Sequence, residues 1–147
     1  MKDNLITENR KANFNYAIEE TFEAGIVLKG TEAKSCRGGK VNLGDGYCAF
    51  RMGELYLQNV HISEYSHGNR ENHDPRRARK LLLHARELDK LLGLLKSGLT
   101  LVPIKMYFKN SYAKVLLGLG KGKKTHDKRD DLKKKQANRE IARSMRR

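Results

Sequence analysis

From Thr100 to Leu119 the chain alternates with a period of two. Val102, Ile104, Met106 and Phe108 fall on one face, Lys109-Asn110-Ser111 forms a tight turn, and Ala113, Val115, Leu117 and Leu119 resume the pattern up to Gly120. Successive strand residues point to opposite sides, so this pattern predicts an antiparallel hairpin with one face on a core. A second hairpin is expected from Tyr47 to Met52 and Glu54 to Ile62, joined through Gly53, after the turn cluster Asn42-Leu43-Gly44-Asp45-Gly46. Asn13 to Leu28 reads as one long bent strand: Phe14, Tyr16 and Ile18 alternate, and Ile26-Val27-Leu28 follows Gly25, where an isolated glycine marks a bulge.

Two helices are expected among these strands. Gly30 to Gly39 reads as a short one, capped at its start by Thr31 and ended by Gly38 in a left-handed conformation. Asp74-Pro75 is a strong helix start, and Ala78, Leu81, Leu82, Ala85, Leu88, Leu92 and Leu95 then recur every three or four residues until Gly98. Arg76, Arg77, Arg79, Lys80 and Arg86 crowd the N-terminal half of that stretch, where a helix dipole disfavours cations, so they are read as binding residues, with a solvated face the equal alternative for each. Five or six short strands with two helices predict a mainly β fold with appended α-helices, an antiparallel β-barrel or strongly curved sheet. The OB-fold is a common small RNA-binding architecture of this class.

The last twenty-seven residues, Lys121 to Arg147, cannot join that core. They carry twelve basic and four acidic residues, a balance of +8 out of the chain's +14, and almost nothing apolar. Such a segment buries too little surface to offset its ordering entropy and is expected to be disordered when free. The division that follows is a flexible N-terminus over residues 1–11, a folded body over 12–120 and a basic C-terminal tail over 121–147. The body is also basic, and together they predict a polyanionic partner, nucleic acid above all. Leu132, Ala137, Ile141, Ala142 and Met145 recur at helical spacing within the tail, so it is expected to fold when laid along RNA. A membrane surface is second choice, because bulky apolar residues are lacking.

Signs of catalysis are sparse. Cys36 and Cys48 have neither a C-x-x-C partner nor a disulfide framework, and reduced thiols in a cytosol are expected. Met1-Lys2-Asp3-Asn4-Leu5 lacks a signal-peptide pattern, and no run approaches a membrane span, so a cytoplasmic protein is expected. His61, His67, His73, His84 and His126 are scattered. His67, His73 and Asp74 would serve a metal-dependent nuclease, the enzymatic alternative. Asp127, Asp130 and Asp131 fit local ion pairs among lysines better than a magnesium site. Neither a catalytic residue, a metal nor a cofactor is assigned. His126 stands apart in the basic arm, far from any core pattern: composition favours an idle solvated side chain, and a ring stacked on a base is the functional alternative.

Several blocks together resemble the small protein B family, the SsrA-binding proteins. They are Phe22-Glu23-Ala24-Gly25, Gly30-Thr31-Glu32-Ala33-Lys34-Ser35, Asn69-Arg70 to His73-Asp74-Pro75, Arg79-Lys80-Leu81-Leu82-Leu83-His84, Tyr107-Phe108-Lys109-Asn110, and Lys121-Gly122-Lys123-Lys124-Thr125-His126-Asp127-Lys128-Arg129. In order, they cover residues 9 to 147. The resemblance implies an OB-fold-like barrel with added helices and a tail unstructured in solution. It also implies a non-catalytic adaptor that binds the tRNA-like domain of transfer-messenger RNA and delivers it to stalled ribosomes for trans-translation, as a monomer in the complex.

By the same resemblance, Glu23, Leu82 and His84 form the RNA-binding surface, joined by Arg79 and Lys80 from the basic cluster. Gly122, Lys123, Lys124, His126, Asp127, Lys128 and Arg129 act in the ribosomal decoding centre, His126 by stacking on a ribosomal RNA base. His84 stands where some relatives carry asparagine, and Ala33 and Cys36 replace bulkier apolar residues. Ser144-Met145 supplies one member of an apolar pair common at the tail's end, so Met145 is carried over to the ribosome contacts. A general ribosome-associated protein is the remaining alternative.

Overall fold

The structure, a computed structural model, describes residues 4–66, 72–123, 129, 132–137 and 139. Among the described residues up to Lys123 it contains nine strands and three helices. In chain order they are β1 (Asn4–Glu8), α1 (Ala12–Asn15), β2 (Tyr16–Ile26), α2 (Gly30–Arg37), β3 (Val41–Asn42), β4 (Tyr47–Arg51), β5 (Glu54–Gln58), β6 (His61–Ile62), β7 (Arg79–Leu82), α3 (Ala85–Lys96), β8 (Thr100–Lys109) and β9 (Tyr112–Gly122). One antiparallel sheet runs β1-β8-β9-β2-β7-β5-β4, and β3 pairs with β6 separately. The sheet curls until β4 lies beside β8, giving the barrel-like, mainly β body that the alternation predicted.

Both hairpin turns form where expected, but the second arm of the β4–β5 hairpin ends at Gln58, and His61–Ile62 pairs with Val41–Asn42 instead. β8 and β9 turn through Asn110 (φ 50°) and Ser111 (φ 69°), and β4 and β5 through Met52 (φ 53°) and Gly53 (φ 81°). Two consecutive left-handed residues give the tight turn whose twist matches that of the flanking strands. Phe22, Ala24 and Ile26 of β2 meet Leu57, Leu81, Met106, Val115 and Leu117 in the core.

Four expectations need correction. The long strand bulges between Ile18 and Glu20, whereas Gly25 stays in register with Lys114 on one side and Leu82 on the other. α2 begins one residue earlier than Thr31: its N-cap is Lys29, whose amide donates to Glu32 Oε1 at 2.8 Å. The left-handed residue after it is Gly39 (φ 70°), not Gly38. The segment expected to be loose at the N-terminus supplies β1, which pairs with β8 from Asn4↔Phe108 to Glu8↔Lys105.

A fifth correction matters most. Asp74 does cap a turn, with the Arg76 amide on Oδ1 at 3.0 Å and the Arg77 amide on its carbonyl at 3.1 Å. The chain then extends as β7, and helix α3 starts only at Ala85. The reason is a buried ion cluster. Glu32 and Arg79 are each 0% exposed, and Arg79 Nε donates to Glu32 Oε2 while Arg77 Nη2 donates to Oε1. Arg79 also donates to the carbonyls of Val60 (2.6 Å) and Pro75 (3.0 Å). An extended backbone sends Arg79 and Leu81 inward and Lys80 and Leu82 outward, an alternation that a helix does not allow.

Candidate nucleic-acid interface

β2, β7, β8 and β9 present a shared outer face. On β2, Glu23 points opposite to the buried Phe22 and Ala24. Two residues on is Gly25, paired with Leu82 of β7 and Lys114 of β9. A Cβ at Gly25 would lie 3.4 Å from Leu82 Cβ and 3.7 Å from Lys114 Nζ, so the missing side chain lets both neighbours close over the strand. Val27 continues the row, its amide bonded to the Lys80 carbonyl at 3.0 Å. Leu82 is 52% exposed and Val27 44%, an uncovered apolar pair beside an acid.

β8 completes the face. Tyr107 O–H donates to Glu23 Oε2 at 2.5 Å, and Lys109 Nζ lies 3.4 Å from Oε1. Tyr107 is only 6% exposed, and Lys105 Nζ sits 5.6 Å from its ring centre. The Tyr107 hydrogen bond outweighs the cost of burial and, joined by Lys109 and Lys114, holds the Glu23 carboxyl below the usual carboxylate range. Thus a carboxylate stays ionised within a ring of lysines, next to exposed leucine and valine. Such a surface offers phosphate-neutralising cations, an apolar platform and one fixed acceptor.

The residues singled out in the sequence divide by position. Leu82 pairs with Gly25, two residues along β2 from Glu23. His84 is exposed just beyond β7, at the N-cap of α3, its amide donating to Glu87 Oε1 at 3.3 Å. Lys80 is half-exposed and pairs with Glu54 at 3.0 Å. Arg79 is the exception: fully buried against Glu32, it organises β7 from inside and offers nothing to a surface ligand. Arg76 and Arg86 are exposed, whereas Arg77 is committed to Glu32 and the Val27 carbonyl.

Tyr107, Lys109 and Lys114 were not assigned from sequence as partners of Glu23. Their signal lay in the outward positions of the β8–β9 alternation, Lys105, Tyr107 and Lys109 against Lys114.

Two of the three nuclease candidates, His73 and Asp74, are otherwise engaged. His73 is buried, with Nε2 2.8 Å from the Ile62 carbonyl and Nδ1 2.9 Å from Thr31 Oγ1. A carbonyl only accepts, so Nε2 carries a proton and the ring ties α2 to β6. His67 lies outside the described residues. Among the described residues no group of three His, Cys, Asp or Glu gathers as metal ligands do. Cys36 and Cys48 are buried, and burial pushes the Cys36 thiol up to about 12 and raises Cys48 as well. Among the described residues, no helix is long and apolar enough to cross a membrane.

The base of the tail belongs to the body. Gly122 pairs with Tyr16, and the Lys123 amide and Nζ reach the carbonyls of Asn15 (2.8 Å) and Asn13 (2.7 Å). The tail therefore leaves from the Tyr16 end of β2, whereas Gly25 and Leu82 sit at the other end. Nine residues of strand separate the two, roughly 30 Å at strand rise. Arg129 and residues 132–137 are helical and exposed. Lys124, His126, Asp127, Lys128 and Met145 lie outside the described residues.

A family model described as "SmpB protein" matches residues 6–147. An SsrA-binding protein of Geobacillus sp. (strain WCH70) is 61% identical over 143 residues, 97% of this chain and 92% of the relative. An SsrA-binding protein of Bacillus subtilis (strain 168) is 59% identical with the same coverage. A solved structure described as "tmRNA-SmpB: a journey to the center of the bacterial ribosome" aligns with a TM-score of 0.68 at 57% identity. The alignment covers 81% of this chain and 85% of that one.

Proposed function

This chain belongs to the SmpB protein family, and we propose that it is an RNA-binding adaptor, without catalysis of its own, that carries transfer-messenger RNA to stalled ribosomes in the cytoplasm. The outer face around Glu23, Gly25 and Leu82, flanked by Lys80 and His84, takes the tRNA-like domain of that RNA. The tail from Lys124 onward, with His126, Asp127, Lys128, Arg129 and Met145, enters the small-subunit decoding centre beside ribosomal RNA. One copy acts in each complex.

The observation that carries this reading is the pairing of Gly25 with Leu82. It joins two blocks distant in sequence into one exposed surface holding an acid, an apolar pair and lysines. The tail root at the far end of β2 leaves that surface free while the tail reaches elsewhere. Its twenty-four residues beyond Lys123 span about 36 Å as a helix, long enough to work at a separate site. A helix of six described residues with every side chain exposed has little to hold it in isolation, which fits a segment that gains its structure on RNA.

Gel-shift affinity for the tRNA-like domain is expected to exceed that for an ordinary tRNA of equal length; equal affinities would refute specific recognition. Deletion of residues 124–147 is expected to spare RNA binding and abolish tagging of stalled peptides. Loss of RNA binding with the tail would refute the division of labour.

A further inference from the structure

Glu23 is an odd residue to find on a surface meant for RNA. A carboxylate only accepts hydrogen bonds, and it repels phosphate. Its place among Lys109, Lys114 and Lys105 makes sense if it faces a hydrogen-bond donor: a base N–H or a ribose hydroxyl. An acceptor of that kind gains selectivity when its orientation is fixed before the ligand arrives. Tyr107 supplies the fixing. Its ring lies almost wholly within the body's surface layer, beneath Lys105, and its hydroxyl takes one Glu23 oxygen at 2.5 Å. Among the described residues, the other oxygen meets Lys109 at a looser 3.4 Å.

Resting on the RNA-binding reading of this face, we propose that Tyr107 is a positioning residue, holding Glu23 from below so that its second oxygen stands ready for a donor group of the bound RNA. Lys109 gives way when the donor arrives, since its long side chain has bulk solvent as an alternative. The ionised state of Glu23 supports the scheme, because a protonated carboxyl would present a donor to a donor. The titratable groups facing Glu23 are Tyr107 and Lys109 from β8 and Lys114 from β9, while on β7 Leu82 pairs with Gly25, two residues along β2.

A double-mutant cycle on the full chain, with the tRNA-like domain as probe, tests this. Glu23→Ala is expected to weaken binding roughly tenfold or more, the scale of a hydrogen bond to a charged group. Tyr107→Phe removes one oxygen and is expected to weaken binding about three- to tenfold in the native background, and not at all beside Glu23→Ala. An equal loss in both backgrounds, or none in the native one, overturns the positioning role and leaves the RNA-binding reading standing. If Glu23→Ala binds as well as the parent or more tightly, Glu23 faces phosphate or solvent, and that reading of the face falls together with the proposal. Carboxyl NMR supplies a readout that does not pass through affinity: the Glu23 titration midpoint is expected to rise in Tyr107→Phe, and an unmoved midpoint overturns the proposal.

Discussion

Glu32→Gln is the sharpest test of how the body holds strand β7. The substitution keeps shape and removes one charge. Glu32 accepts from Arg77, from Arg79 and from the Lys29 amide, and both it and Arg79 are fully buried. Glutamine keeps a single acceptor oxygen and turns an NH2 group toward guanidinium donors, leaving Arg79 charged without a counterion. Breaking a buried pair in this way costs about 3–5 kcal/mol. Arg77 is partly exposed, so it adds little to that figure.

Against a total stability of about 5–15 kcal/mol for a domain of this kind, and about 3–5 °C per kcal/mol at this size, the melting temperature is expected to fall by roughly 10–20 °C. Urea denaturation should show a lower midpoint at unchanged slope. Burial alone would raise the Glu32 carboxyl, but the bonds from Arg77, the Lys29 amide and Arg79 together hold it below its ordinary 4.5. A depressed folded value means the contribution is present above pH 4.5 and lost as pH falls through the folded value. The gap between parent and variant should therefore narrow as pH drops below 4.5. A melting temperature within about 3 °C of the parent at pH 7 would refute the assigned role of the cluster.

Two further substitutions separate packing from recognition. A Cβ at Gly46 would lie 2.6 Å from Val60 Cγ2 and 2.9 Å from Pro103 Cγ, so Gly46→Ala is expected to cost about 1–3 kcal/mol in chemical denaturation; an unchanged midpoint would show that this corner yields. Leu82→Ala removes a half-exposed side chain, so stability should change by less than about 1 kcal/mol while affinity for the tRNA-like domain falls roughly tenfold. Equal affinity with equal stability would remove Leu82 from the RNA surface.

What could be read in the chain followed its local regularities. Both hairpins, α2 and the later part of the leucine stripe were visible because their signals are periodic and each hairpin turn holds a residue that tolerates a positive φ, Asn110 in one and Gly53 in the other. β1 was missed because an edge strand pairs through its backbone, and Asn4, Leu5 and Glu8 face solvent. β7 was missed because Ala78, Leu81 and Leu82 satisfy a helical spacing as well as a strand. What decides between them is Glu32, 47 residues away from Arg79, and no local window contains it. The same blindness made Arg79 look like a surface cation. Glu23 and Leu82 entered through family resemblance, whereas the hydroxyl beneath Glu23 required the register of β8, β9 and β2.

The stem of the tail is also an interior strand. β9 is flanked on both sides, by β8 and β2, along nearly its whole length. Ladder hydrogen bonds run perpendicular to the strands, so a pull along the chain at Lys123 loads many of them at once instead of peeling them one by one. Whatever grips the extension can thus tow the body, cargo included, with the strain spread over the widest seam in the molecule.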